Sequence, residues 1–146
     1  MIKKRIIPKF LIKDGSLVKA VRFHENFRAA GNPVTTAKVY DAYGVDELIF
    51  LDIQASLEGR NTIAEIIDNV SREIFMPFTV GGGIKNLDDI NKLLRSGADK
   101  VSINTAAVEN PDFIKEAANR FGDQCIIVSV DYKQISHHKF KVFTHS

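Results

Sequence analysis

Phe78-Thr79-Val80-Gly81-Gly82-Gly83-Ile84 is an apolar run that stops at three successive glycines and leads into Lys85-Asn86-Leu87-Asp88-Asp89, which reads as the opening of a helix. A short apolar run bounded by glycine is the pattern of a buried strand, so the stretch spells strand, bare turn, helix. Where a buried strand ends in such a turn, N–H groups without internal partners point outward. Their partial positive charge suits a phosphate.

The same unit recurs on both sides. Upstream, residues 5–12 form a strand candidate, 13–16 carry turn chemistry and 17–23 make a short extended return. Asn32 then caps a helix with Pro33 at its first position, apolar residues three and four apart up to Tyr43, and Gly44 as its stop. Residues 48–53 are apolar nearly throughout, which is how a strand covered on both faces reads. A helix over 61–73 follows, then the strand 77–80. Downstream come a helix over 87–95, a strand over 100–103, a helix capped by Asn110-Pro111 and running to Phe121, and a strand over 124–131. A polar turn at His137 and His138 leads to a β extension over 139–144. Five main strands alternating with four helices must run parallel through right-handed crossovers, so the fold class is α/β.

An internal echo narrows the class. Gly44-Val45-Asp46-Glu47-Leu48-Ile49-Phe50 recurs as Gly97-Ala98-Asp99-Lys100-Val101-Ser102-Ile103, two β/α units later. A repeat of two units suits a barrel multiplied from such units better than a doubly wound open sheet.

Composition sets the outer bounds. The 146 residues are the size of one domain; 45% are hydrophobic and 26% charged, and the net charge of +2 carries no basic excess of the kind nucleic-acid binding needs. The single cysteine, Cys125, lies in an apolar run and reads as a small core residue rather than a nucleophile. No apolar stretch reaches the roughly 18 residues of a membrane span, and no signal-peptide pattern is present. The expectation is a cytoplasmic protein with no membrane or nucleic-acid partner, no metal and no cofactor.

Asp52, the Gly81-Gly82-Gly83 turn, Asn104-Thr105 and Asp131 all stand where an apolar strand stops, which places them on one rim. In parallel β/α architecture that C-terminal rim is where chemistry is located. Gly83, Asn104 and Thr105 are the candidate donors to one phosphate, and the aspartates are acceptors or a base. Each aspartate could equally cap a turn, and Asn104-Thr105 could bond their own backbone.

These residues carry a resemblance. The 78–84 stretch, the run from Gly97 through Asn104-Thr105-Ala106-Ala107, the opening Arg5-Ile6-Ile7-Pro8, residues 47–53 and Val142-Phe143-Thr144-His145-Ser146 resemble the cyclase subunit of imidazole glycerol phosphate synthase. The likeness spans the chain and covers about the first half of that family's eight-stranded barrel. It therefore implies a single N-terminal half of a (β/α)8 barrel over 1–146, with the second half absent.

In that family a glutaminase docks on the N-terminal rim and releases ammonia, which crosses the barrel and reacts with a phosphorylated substrate to give imidazole glycerol phosphate. By resemblance, Gly83, Asn104 and Thr105 match one phosphate site; Asp52 joins them as a candidate substrate-binding residue from its place at the end of its strand. Arg5, Glu47 and Lys100 match the charged ring at the ammonia-channel mouth, and Asp99 matches an interface position facing the glutaminase. Lys19 and Asp131 match active-site positions. The ordinary reading of Arg5, Glu47 and Lys100 is a structural salt-bridge ring. Two positions depart from the pattern: the family's first catalytic aspartate falls at Leu11, and its usual cysteine at Lys9. General acid–base help is worth about 10²–10⁴ in rate, and leucine has no proton to offer, so this chain alone is expected to be inactive.

The Lys9–Gly15 run is in turn similar to divergent relatives in surface-polysaccharide gene clusters, which pass glutaminase-derived ammonia towards acetamidino sugars. Ammonia delivery into O-antigen-type sugar synthesis is accordingly the expected function, with the histidine-pathway cyclase as the alternative. A third reading is a non-catalytic half-barrel that forms a homo-oligomer through the open edges of its first and fifth strands.

Overall fold

A computed structural model describes residues 3–20, 26–54 and 63–144. In chain order the elements are β1 (Lys9–Lys13), β2 (Ser16–Lys19), β3 (Arg28–Gly31), α1 (Pro33–Ala42), β4 (Leu48–Asp52), α2 (Ala64–Ser71), β5 (Phe78–Gly81), α3 (Leu87–Arg95), β6 (Lys100–Ile103), α4 (Thr105–Glu109) and α5 (Pro111–Phe121). A 3₁₀ turn (Asp123–Cys125), β7 (Ile126–Val128), β8 (Asp131–Ser136) and β9 (Lys139–Phe143) complete the chain. The main sheet has the order β3-β2-β1-β4-β5-β6-β7, and β8 pairs with β9 in a separate hairpin. Strands β1, β4, β5, β6 and β7 run parallel. This is α/β architecture built from the β/α units of a TIM-type half-barrel, as the alternation predicts.

The register explains which face is covered. Phe10, Phe50, Val80, Val101 and Ile126 stand side by side across the five parallel strands, and Phe50, Val80 and Val101 have no exposed surface. They pack into one core with Ala37, Ile67, Val70, Ile90, Leu93, Phe113 and Ala117 of the helices. Burial of each such large aliphatic or aromatic side chain is worth about 1.5–3 kcal/mol. The neighbouring row on the opposite face, Leu11, Leu51, Ser102 and Ile127, is only half-buried. The strand at 48–53 is thus fully covered on one face rather than two. An apolar run alone cannot distinguish those cases, because its inner row also reads as apolar.

The repeated Gly-x-Asp has a physical meaning at both copies. Gly44 and Gly97 end α1 and α3 with positive φ, donating to Asp41 O and Leu94 O. Two residues later the aspartate clips onto the start of the preceding strand segment. Asp46 Oδ2 accepts from the Ile6 N–H at 2.7 Å, and Asp99 Oδ2 from the Phe78 N–H at 2.8 Å. Each aspartate N–H also donates back to the carbonyl of its partner residue, at 3.1 Å in both cases.

Several boundaries differ from the sequence expectation. Residues 5–8 precede β1 and enter the ladder only through carbonyls, the Pro8 carbonyl accepting from the Ile49 N–H. The extended return is β2, and its expected continuation through 21–23 lies outside the described residues, as do 61–62 at the expected start of α2. Strand β3 and helix α4 were not expected, since Arg-Ala-Ala-Gly and a five-residue helix carry no usable periodicity. The expected strand 124–131 is divided into a 3₁₀ turn, β7 and the first residue of β8. Cys125 sits in that turn half-buried rather than in the core. The edge of β1 is not open: β2 pairs with it, and the sheet ends at β3 and β7. Dimerisation through the edge of the first strand is excluded by that pairing.

Candidate functional site

Parallel strands in register bring their C-terminal ends to one rim, and a cavity of about 800 Å³ opens there. Leu51, Asp52 and Ile53 of the β4 end, Gly82 to Lys85 after β5, Ser102 and Asn104 to Ala106 around the β6 end, and Ser129 and Asp131 after β7 all line it. The four rim features read from the sequence therefore share one cavity. Lys9, on the inner face of β1, lines it too. Leu11, beside Leu51 and Val18 in the ladder, is half-buried. Lys19 is exposed on β2 and is not among the cavity-lining residues, so this structure does not bring it to the site.

The glycine turn is bare for steric reasons. A Cβ on Gly82 would lie 2.1 Å from the Asp52 carbonyl oxygen, at φ +105°, and Gly83 has φ +67°. Among the described residues nothing accepts from the Gly82 or Gly83 N–H. The helix that follows lines the cavity with none of its residues, contrary to the simplest reading of a glycine turn running into a helix. Asn86 Oδ1 accepts from the Asp89 N–H at 2.9 Å, and Asp89 Oδ2 accepts from the N–H groups of Lys85 (2.9 Å) and Asn86 (3.3 Å). This capping box occupies the N-terminus of α3 with its own side chains.

On the β6 side, Asn104 precedes α4 without capping it. Its Nδ2 donates instead to Asp131 Oδ2 at 2.7 Å, while its Oδ1 is buried with no donor among the described residues. The donors on this side of the cavity are therefore the Thr105 hydroxyl and first-turn N–H groups, not the Asn104 side chain. Asp52 acts partly as a turn cap, its Oδ1 accepting from the Gln54 N–H at 3.0 Å. Asp131 is exposed and opens the β8–β9 hairpin.

The opposite rim holds a compact charge cluster. Glu47 is 2% exposed; its Oε2 accepts from Lys100 Nζ at 2.7 Å and from Arg5 at 3.3 Å. Burial pushes the Glu47 carboxyl up, but the hydrogen bonds from Lys100 and Thr79 and the charges of Lys100 and Arg5 outweigh it and hold the group below its ordinary value. The three expected members of the ring thus meet at one carboxylate. The fourth participant is Thr79, fully buried, whose hydroxyl donates to Glu47 Oε1 at 2.7 Å. Its signal was a lone hydroxyl inside the apolar run Phe78-Thr79-Val80, which composition treats as an ordinary β-branched residue. Asp99, expected at a partner interface, spends its carboxylate on the Phe78 N–H.

Among the described residues there is no helix long and apolar enough to cross a membrane, and no cluster of three or more His, Cys, Asp or Glu placed to hold a metal ion.

The sequence profile of a family described as "Histidine biosynthesis protein" matches residues 5–146. The chain is also similar to a protein named imidazole glycerol phosphate synthase subunit HisF from Natranaerobius thermophilus, with 54% identity over 134 residues, covering 92% of this chain and 53% of that relative. It spans about half the length of the curated relative it matches. With the profile match running through nearly all of its residues and the β/α half-barrel in place, the chain belongs to the histidine biosynthesis protein family.

Proposed function

We propose that this chain is the N-terminal half-barrel of a cyclase subunit of the imidazole glycerol phosphate synthase type, and that its C-terminal rim binds the phosphate end of the substrate. The observation that carries the reading is the cavity in which the Gly82-Gly83 turn, whose N–H groups meet no acceptor among the described residues, lies beside the Asn104-Thr105 turn. Backbone donors on two adjacent strand ends suit an anion that needs several hydrogen bonds at once. Asp131 is the acid–base group of the same cavity. On the other rim, Arg5, Lys100 and Thr79 around Glu47 form the ring through which a glutaminase partner would deliver ammonia. The name of the relative favours the histidine-pathway reaction over acetamidino-sugar synthesis. The surface-sugar reading has one supporting observation, Leu11 in a half-buried apolar setting between Leu51 and Val18.

Titrating inorganic phosphate into ¹⁵N-labelled protein tests the site: saturable shifts at Gly83 and Thr105 are expected, and their absence at high phosphate contradicts it. Complementation of a cyclase-deficient strain by the gene carrying this chain separates the pathways. Growth without histidine supports the cyclase, and failure with the protein folded and expressed favours the Leu11-based alternative.

A further inference from the structure

We propose that Asp131 is a positioning residue for the anion cradle: through the Asn104 Nδ2 to Asp131 Oδ2 hydrogen bond it holds the Asn104 side chain away from the first-turn N–H of Ala106, keeping that donor open to ligand. The inference rests on the phosphate reading above and assigns to Asp131 a role separate from proton transfer. Asparagine immediately before a helix ordinarily turns its carbonyl onto the backbone N–H groups of the first turn. Asn32 does so, accepting from Val34 and Thr35 at 2.9 and 3.1 Å, and Asn86 accepts from Asp89. Asn104 makes no such bond, and neither does Asn110, which was expected to cap α5; at Asn104 the amide is engaged by a carboxylate instead.

The reason lies at 2.7 Å. An ionised carboxylate can only accept, so the amide nitrogen of Asn104 must face Asp131 and its carbonyl must face away. The consequence is an Oδ1 that is buried without a donor among the described residues. An unmet acceptor on Asn104 and the uncapped N–H of Ala106 thus sit within one turn of chain, and each is what would satisfy the other. A buried polar atom without a partner carries a real cost, and one hydrogen bond keeps the two apart. Closing the cap takes a rotation about ψ of Asn104, which stands at −89° against 132° at Asn32 and 173° at Asn86. Without Asp131, the Asn104 carbonyl becomes an internal competitor for the donors an anion would use.

Electrostatics alone argues the opposite. Asp131 is a negative charge lining an anion cavity, so its removal would tighten anion binding by Coulomb's law. The two accounts therefore predict opposite signs for Asp131→Ala. Calorimetric or NMR titration with inorganic phosphate should show binding weakened by about tenfold in Asp131→Ala, the scale of one competing side-chain-to-backbone hydrogen bond. The double variant Asp131→Ala with Asn104→Ala, which lacks the intruding carbonyl, should bind at least as tightly as the native chain. Tighter binding in Asp131→Ala, or no recovery in the double variant, overturns the proposal. A ligand-free measurement separates its failure from that of the phosphate reading. Amide exchange at Ala106 should slow in Asp131→Ala as Asn104 closes onto it, and unchanged exchange overturns the positioning role whether or not the native chain binds phosphate.

Discussion

At the scale of single residues, Glu47 and Gly82 are the positions where chemistry leaves least freedom. Glu47 is buried, and its carboxyl lies below its ordinary value of 4.5. A depressed carboxyl contributes stability that is present above the unfolded-state value and is lost as pH falls through the folded one. Denaturation at a series of pH values should therefore show a loss of stability below about pH 4.5 that is absent from Glu47→Gln. Thr79→Val removes one of the bonds holding that carboxyl down, so the acid-induced loss should be smaller and complete at a higher pH, with about 1–2 kcal/mol less stability near neutrality. At Gly82 the Asp52 carbonyl occupies the place of a Cβ. Gly82→Ala should cost about 2 kcal/mol or more, read from urea unfolding, because neither the contact nor the positive φ accommodates it.

At the scale of elements, two kinds of asparagine before a helix make a direct comparison. Asn86 is half of a capping box and Asn104 caps nothing. Asn86→Ala should destabilise the chain by about 1 kcal/mol through α3, whereas Asn104→Ala should leave α4 no less stable as a helix. Equal losses in the two variants would contradict the contrast. The Gly-x-Asp turns belong to this scale as well. Asp99→Ala breaks the clip onto Phe78 and should cost about 1 kcal/mol, and Asp46→Ala, which breaks the equivalent clip onto Ile6, should cost a similar amount. The sequence showed these turns only as an echo. Their role as clips emerges once helix, turn and preceding strand are in place, since the bonded partners lie 40 and 21 residues away.

At the scale of the whole molecule, a ligand that binds the folded chain and not the unfolded one raises its stability by mass action. Phosphate at about one hundred times its dissociation constant should add about 2.7 kcal/mol, seen as a rise in thermal midpoint with concentration. A midpoint that rises equally with chloride at matched ionic strength would remove the case for a specific site. The rise should be smaller in Asp131→Ala, which links this measurement to the residue that keeps the cradle open.

The strand-turn-helix at 78–89, its repetition and the Gly-x-Asp echo determined the α/β class, the parallel strands and the rim on which Asp52, Gly83, Asn104 and Asp131 stand. Those conclusions depend on local signals: apolar runs, caps and glycines whose meaning is contained within a few residues. Only the tertiary structure decided which donors of that rim are available. Asp89 consumes the N–H groups beside the glycine turn, Asp131 takes the Asn104 amide, Thr79 completes the shell of Glu47, and β2 covers the edge of β1. Sequence lists the groups able to make a hydrogen bond. Which of them are already committed depends on partners that the fold brings within 3 Å from elsewhere in the chain.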